Sequence, residues 1–228
     1  MRRGPKILWL ALLGMLALAA VVLLLVVWAI EQVPEFYREA LAAEPAAQAA
    51  AADQMDRQLT ALQGAAVGEG AWQVVFTADQ INGWLAVKAG DDPELLARGL
   101  RAPRVNIRPD GITIACQAER AGMHSVVCLD ADLYMDSPGV AGLRIRKLRA
   151  GALPWPPAQV LRGISEGCRR AGLGIRWLQA RGDPVALISL APIEGQRGKP
   201  IRIDQIRLDG GAIHISGSTG RKAVGSGR

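Results

Sequence analysis

The hydrophobic pattern of the chain begins with an unbroken apolar run at residues 7–30, which contains no charged residue and no proline. A helix rises about 1.5 Å per residue, so a run of this length crosses a hydrocarbon core about 30 Å thick. Arg2, Arg3 and Lys6 precede the run, and basic flanks of this kind stay on the cytoplasmic side of a membrane. The pattern therefore predicts a single-pass transmembrane helix, with a cytoplasmic N-terminus and an extracytoplasmic C-terminal domain.

A cleaved signal peptide is the competing interpretation of the same run. Its apolar region is typically about 7–15 residues long, and a cleavage site with small residues follows closely. The run here is longer, and no suitable site follows soon after Ile30. An uncleaved signal-anchor is therefore favoured.

The next segment, residues 31–70, is rich in Ala, Glu and Gln. Three of its apolar residues fall on one side of a helix at helical spacing: Met55, Leu59 and Leu62. This composition predicts a helical stalk, which either lies on the following domain or spaces the domain from the bilayer.

The period of the pattern changes where the domain begins. Trp72, Val74 and Phe76 alternate as in a strand. Thr77 followed by Gln80 then forms a capping box, which satisfies free amides at the start of a helix. The helix predicted here turns three apolar side chains inward, namely Ile81, Trp84 and Leu85.

With the strand at Trp72 included, turn signals divide the domain into roughly nine short strands. Arg-Pro-Asp-Gly at 108–111 and Asp-Gly-Gly at 209–211 predict tight hairpins. Pro157 suits the first turn of a second helix, which ends at Gly172. The apolar stripe of this helix contains Val160, Leu161, Ile164, Cys168 and Ala171.

Together these elements predict an α+β fold, in which a mostly antiparallel β-sheet domain packs against two short helices. The predicted organisation is a basic cytoplasmic N-terminus at 1–6, a transmembrane helix at 7–30, an Ala-rich helical stalk at 31–70, the extracytoplasmic domain at 71–217 and a disordered tail at 218–228.

The apolar pattern also predicts how the central hairpin pairs. Each of its strands contributes three residues to one face: Ile112, Ile114 and Cys116 opposite Val127, Leu129 and Ala131. Since strand side chains alternate, this register places Cys128 on the other face from Cys116. The three cysteines are therefore expected to be unpaired, with Cys116 in the core.

The formal net charge of +6 and the pI of 9.7 change this picture only slightly. Several basic residues flank the apolar run or lie in the C-terminal tail, and others alternate along the strands, such as Arg144, Arg146 and Arg149. A solvated face explains them, and attraction to anionic lipid head groups suits a membrane-tethered domain. No nucleic-acid partner is expected.

The sequence contains one motif associated with hydrolases, Gly-Ile-Ser-Glu-Gly at 163–167. Asp183 or Asp204 and then His214 follow it in the order of a hydrolase triad. The motif requires a strand entering a sharp turn, whereas these residues lie inside the second predicted helix. We therefore predict no catalytic residues. A hydrolase that uses Ser165 and His214 is kept as a third hypothesis, behind the two non-enzymatic ones given below.

Asp130, Asp132 and Asp136 suggest a calcium loop, but Tyr134 occupies the position of the next expected oxygen ligand. The chain has two histidines, His124 and His214, far apart and outside any zinc motif. We expect no metal site and no cofactor.

The predicted domain contains four tryptophans, Trp72, Trp84, Trp155 and Trp177. Core packing accounts for any one of them, although indoles also line apolar grooves that hold acyl chains. Trp84, Trp155 and Trp177 are the candidate ligand-binding residues.

Two segments resemble a known family. Residues 76–85 (FTADQINGWL) follow a strand and are similar to the start of YpmS-like bacterial membrane-anchored proteins: hydrophobic, Thr, two residues, Gln, Ile or Leu, Asn, small, aromatic, Leu. Residues 206–217 (IRLDGGAIHISG) resemble closing hairpins in that family and in tubular lipid-binding (TULIP-like) domains. The resemblance implies a curved sheet wrapped on a helix around an apolar groove, with lipid as the ligand and no catalytic residues.

The leading hypothesis is a non-enzymatic protein of the bacterial envelope, anchored once in the lipid bilayer, whose domain binds lipid or another apolar ligand. The alternative is an envelope scaffold whose solidly packed domain binds another envelope protein. An apolar groove that holds lipid would distinguish the first hypothesis from the second.

Overall fold

The computed structural model describes residues 32–67, 70–89, 93, 96, 99–120, 123–155, 157–190, 193–194 and 200–220. The predicted transmembrane helix at 7–30 lies outside these residues. Within the described part of the chain, no helix has the length and apolar character needed to cross a membrane.

Helices α1 (Glu35–Ala42) and α2 (Pro45–Val67) occupy the predicted stalk, and α3 (Ala78–Lys88) and α4 (Ala158–Arg170) are the two helices predicted in the domain. The strands are β1 (Gly70–Thr77), β2 (Leu100–Arg108), β3 (Gly111–Arg120), β4 (Met123–Ser137), β5 (Val140–Ala150), β6 (Leu153–Pro154), β7 (Gly174–Ala180), β8 (Asp183–Ser189), β9 (Ile193–Glu194), β10 (Pro200–Asp209) and β11 (Ala212–Thr219).

The strands form two antiparallel sheets, and the fold is α+β as predicted. The small sheet has the order β1-β11-β10-β9, and the large sheet has the order β2-β3-β4-β5-β8-β7, with β6 paired to β5. The prediction of a disordered tail from residue 218 is wrong at its first two residues. Ser218 and Thr219 pair with β1 on one side and with β10 on the other, so their backbone is held within the sheet.

The predicted register of the central hairpin is confirmed. Cys116 pairs with Val127 and Ala115 pairs with Cys128, so the two cysteines lie on opposite faces of the large sheet. All three cysteines are free thiols. The alternation of apolar residues was sufficient for this prediction because a shift of one residue would turn the whole apolar set to the other face.

Three apolar clusters hold the helices and sheets together. On one face of the large sheet, α4 covers buried residues of β3, β4 and β5: Ala118, Val127, Leu129, Ile145, Leu148 and Ala150. On the opposite face, α1 places the fully buried Tyr37 against Ala115, Val126 and Cys128.

The third cluster lies between α2 and the small sheet. Met55, Leu59 and Leu62 of α2 pack against a buried row of β1: Trp72, Val74 and Phe76. The stalk therefore lies on the domain, and this settles the alternative that the sequence left open.

The Ala-rich composition of α2 is explained by its crossing with α3. Gly83 of α3 is buried at this crossing, and a Cβ atom placed on it would lie 2.6 Å from the Gln48 carbonyl oxygen and 2.7 Å from the Ala51 Cβ. Small residues on both helices allow the backbones to approach closely. Larger side chains at these positions would separate the helices.

Helix α3 also joins the two sheets through Asn82. The Asn82 Nδ2 donates to the Val105 carbonyl at 2.9 Å, and the Val105 N–H donates to the Asn82 Oδ1 at 2.7 Å. Val105 lies on β2, the edge strand of the large sheet. The amide therefore satisfies backbone groups that an edge strand otherwise leaves unpaired.

The start of α3 is fixed by the predicted capping box. The Gln80 N–H donates to the Thr77 Oγ1 at 3.2 Å, and the Thr77 N–H donates to the Gln80 Oε1 at 3.0 Å. Residues 77–83 belong to the segment that resembles YpmS-like proteins. Within them, Thr77 and Gln80 cap α3, Asn82 binds the edge strand, and Gly83 allows α2 to pack closely. Each of these contacts is structural.

Gly83→Ala is expected to lower the free energy of unfolding by about 1–3 kcal/mol, because an added methyl group overpacks the α2–α3 crossing. Chemical denaturation of the full chain, followed by circular dichroism, measures the change.

Gly167→Ala is the matched control, since Gly167 is also helical but a Cβ atom placed on it would have no other residue within 4 Å beyond its own helical turn. We expect this variant to be more stable by up to about 1 kcal/mol, from helix propensity alone. Equal effects of the two substitutions would contradict the close crossing at Gly83.

Asn82→Ala is expected to lower the free energy of unfolding by about 1–3 kcal/mol, because it leaves the Val105 N–H and carbonyl without their partner. Val87→Ala, at an exposed position of the same helix, should have a much smaller effect. Denaturation of both variants checks this, and similar losses would exclude the bridging role of Asn82.

Candidate functional site

The structure brings two of the three candidate tryptophans together around one cluster. Trp155 and Trp177 both pack against the cluster that α4 covers on the large sheet. Trp84 lies on α3, where its Nε1 donates to the Asp56 Oδ1 of α2 at 3.2 Å. Trp84 is therefore part of the helix crossing, remote from the cluster under α4.

Local structure positions the two tryptophans of the cluster. The short strand β6 pairs with the end of β5, and the Trp155 N–H donates to the Leu148 carbonyl at 2.9 Å. Trp177 lies on β7 opposite Ala186 of β8, and its Nε1 donates to the Ser165 Oγ of α4 at 2.8 Å. One tryptophan therefore precedes α4 in the chain, and the other bonds to its middle.

The C-terminus of α4 is closed by a glycine, as predicted. Gly172 has a φ of +69°, a left-handed conformation that glycine adopts at little cost. The Leu173 N–H donates to the Cys168 carbonyl at 2.8 Å, and the Gly172 N–H donates to the Arg169 carbonyl at 3.1 Å. This cap turns the chain directly into β7.

The helix and the sheet are buried to different degrees at their shared surface. The sheet residues of the cluster are 4–9% exposed. The apolar stripe of α4 faces them with Val160, Leu161 and Ile164, but each of these side chains is only partly buried. The same is true of Trp155 and Trp177. The underside of α4 is therefore open at its margins.

A groove of about 580 Å³ lies between the C-terminal half of α4 and the start of β7. Its lining is mostly apolar and consists of Ser165, Glu166, Arg169, Gly172, Leu173, Gly174 and Ile175. Pockets of roughly 300–1,000 Å³ hold small organic ligands. The groove is large enough for such a ligand and is open to solvent along one side.

The Ser165 hydroxyl is hydrogen-bonded to two neighbours. It donates to the Leu161 carbonyl at 2.9 Å and accepts from the Trp177 Nε1 at 2.8 Å. His214 lies on β11 of the small sheet, with its Nε2 3.8 Å from the Asp209 carboxylate. Among the described side chains, no histidine contacts Ser165. The motif at 163–167 lies inside α4, as the sequence indicated.

Asp130 and Asp132 of β4 lie on the face of the large sheet away from α4, where they pair with neighbouring polar residues. The Asp130 Oδ1 accepts from the Thr113 Oγ1 at 2.6 Å, and Arg146 lies 2.8 Å from Asp132. The described residues contain no group of three or more His, Cys, Asp or Glu side chains arranged to hold a metal ion.

Charge at the groove is distributed unevenly. Glu166 is paired with Arg170, whose Nη2 lies 3.9 Å from the Glu166 Oε2. The Arg169 guanidinium has no hydrogen-bond or ion-pair partner among the described residues. The groove is therefore apolar with one uncompensated cationic group in its lining.

No protein-family model, curated protein or solved structure matches the chain. The chemistry of the groove is consequently judged from its own residues.

None of the three candidate tryptophans lines the groove, although Trp155 and Trp177 pack on the neighbouring cluster under α4. Sequence reasoning assigned no binding role to the side chains that do line it, among them Arg169, Leu173 and Ile175. The available signal was the Gly-Leu-Gly-Ile run at 172–175 directly after the helix. This run places two apolar side chains beside a helix terminus, but the sequence does not say how far the helix stands from the sheet.

Cys168 is expected to react with iodoacetamide at pH 8 before Cys116 and Cys128 do. Burial raises the pKa of all three thiols, that of Cys116 to about 11, and the thiolate is the reactive form. All three should therefore react more slowly than in the unfolded chain, and faster as the pH rises. Cys128 is also fully buried, whereas Cys168 is partly accessible.

Peptide mass spectrometry of samples quenched at intervals measures the three rates, with the urea-unfolded chain as reference. Reaction of Cys116 or Cys128 at the unfolded rate would contradict the packing of the two faces.

Proposed function

We propose that the protein is a non-enzymatic, single-pass membrane-anchored protein of the bacterial envelope, whose extracytoplasmic domain binds lipid or another apolar ligand beneath α4. The observation that carries the proposal is the partial burial of the apolar stripe of α4 over a well-buried sheet.

The hydrophobic effect favours the binding of an apolar ligand in the groove. Removal of apolar surface from water contributes roughly 25 cal/mol per Å². An acyl chain that lies along the groove would cover Leu173 and Ile175, and it would extend towards the partly buried stripe that contains Ile164. The ligand would then complete the contact that the chain leaves open.

The position of the predicted anchor supports a membrane-derived ligand. Residues 7–30 form the anchor in this proposal, and α1 begins at Glu35, only a few residues later. The Tyr37 Oη donates to the Ala102 carbonyl of β2 at 2.8 Å, so α1 is fixed to the large sheet. A short connection of this kind would keep the domain close to the bilayer surface.

The resemblance to YpmS-like and TULIP-like proteins supports the same ligand class. The proposed relationship implies a sheet curved around a helix, with lipid between them. Since the motif at 77–83 makes structural contacts here, it supports a common framework and assigns no binding residue.

Photocrosslinking of the full chain in nanodiscs tests the proposal. The nanodiscs contain a phospholipid with a diazirine on its acyl chain, and mass spectrometry locates the labelled peptides. We expect label in the anchor and, separately, in the segment from Val160 to Trp177. Label in the anchor alone would contradict ligand binding under α4, because the anchor shows that the probe was reactive and present.

Ile175→Trp is expected to reduce the label under α4 by about tenfold, the effect of losing about 1.4 kcal/mol of binding free energy, because the indole fills the groove. Arg176→Trp is the matched control. It adds the same side chain one residue later, where strand alternation turns it to the opposite face.

Both variants should keep the melting temperature of the wild-type domain within a few degrees. Equal labelling of the two variants would place the ligand elsewhere.

A further inference from the structure

We propose that the ligand under α4 is an anionic amphiphile, whose carboxylate or phosphate head group is bound by Arg169. This inference rests on the proposed function, and it adds the chemical class of the head group and the residue that selects it.

The first step is the charge balance of the groove lining. Of the seven lining residues, only Glu166 and Arg169 are charged. Arg170 lies 3.9 Å from Glu166 and offsets its charge. Arg169 has no such partner among the described residues, so Glu166, Arg169 and Arg170 together leave one net positive charge at the end of α4 that borders the groove.

The second step concerns the helix terminus. Arg169 lies in the last turn of α4, where the aligned peptide dipoles amount to roughly half a negative charge. This partial charge explains why a basic residue is stabilising there. The partial charge is smaller than the full charge of the guanidinium. In addition, the Cys168 and Arg169 carbonyls at this end of the helix already accept N–H groups of the cap. A head group at this end of the groove would therefore meet a net positive field.

The third step excludes the other polar side chain of the groove as the main recognition group. The Ser165 hydroxyl donates its proton to the Leu161 carbonyl, so this proton is not available to a head group. Arg169 offers up to five donors in a planar fork, which matches carboxylate and phosphate oxygens. An apolar groove with a guanidinium at its edge suits a hydrocarbon chain that ends in an anion.

Two arginines of the large sheet are arranged differently. Arg144 donates to Asp183 at 2.6 Å and Arg146 to Asp132 at 2.8 Å, on the face of the large sheet away from α4. Because these cations are paired with carboxylates, they do not form a general anion-binding surface. Other described arginines also lack a partner, but Arg169 is the arginine that lines the groove.

The test uses the full chain in non-ionic detergent and two photoreactive probes with the same acyl chain. One probe is a diazirine fatty acid and the other is its methyl ester, which has no charge. At pH 9 the carboxyl group of the acid is ionised. We expect the acid to label the α4 groove at least fivefold more efficiently than the ester.

Arg169→Gln should remove this preference and leave labelling by the ester unchanged. Arg162→Gln is the control, because Arg162 is an exposed arginine two helical turns earlier that does not line the groove. It should retain the full preference. Arg169→Lys should retain only part of it, since an ammonium lacks the planar fork.

The outcomes separate this inference from the proposed function. Equal labelling by acid and ester in the wild-type chain, or an unchanged preference in Arg169→Gln, would overturn the role of Arg169 and leave apolar binding intact. Absence of groove labelling with both probes would overturn the proposed function itself.

Discussion

Hydrogen bonds to the backbone of the edge strand β2 join the parts of the domain: two between the Asn82 amide and Val105, and one from the Gly211 N–H to the Ile107 carbonyl at 3.0 Å. Each sheet has its own apolar cluster, and α3 is the element that contacts the small sheet, α2 and the edge of the large sheet. The capping box at Thr77 sets where α3 begins, and Gly83 admits α2 beside it. The position of α2 on the domain therefore depends on α3 as well as on the direct packing of α2 against β1.

The helices of this fold are packed in two different ways. At the crossing of α2 and α3, small residues bring the backbones into contact and no space for a side chain remains at Gly83. Helix α4 instead lies over the large sheet with its apolar stripe partly exposed, and a groove opens beside its last turns. A ligand needs space next to apolar surface, so the loosely packed helix is where binding is proposed. The unpaired Arg169 at the same place is the basis of the proposed preference for an anionic head group.

Helix caps, turns and strand register could be predicted from the sequence, because a few neighbouring residues decide each of them. The capping box of Thr77 and Gln80, the hairpin turns and the glycine stop at Gly172 each depend on backbone geometry within one turn. The register that separates Cys116 from Cys128 was equally predictable, because strand alternation couples every side chain of a hairpin to one face. The partners of these elements across the fold were not predictable in this way.

The sequence by itself therefore determined the α+β class, the placement of most strands and helices, and the apolar stripe of α4. Only the tertiary structure decided that the stalk lies on the small sheet, that Trp84 bonds to Asp56 while Trp177 bonds to Ser165, and that β11 extends to Thr219. The physical reason is the range of the interactions. Periodicity and capping act over a few residues, whereas a helix crossing and a groove are set by distances between segments far apart in the chain.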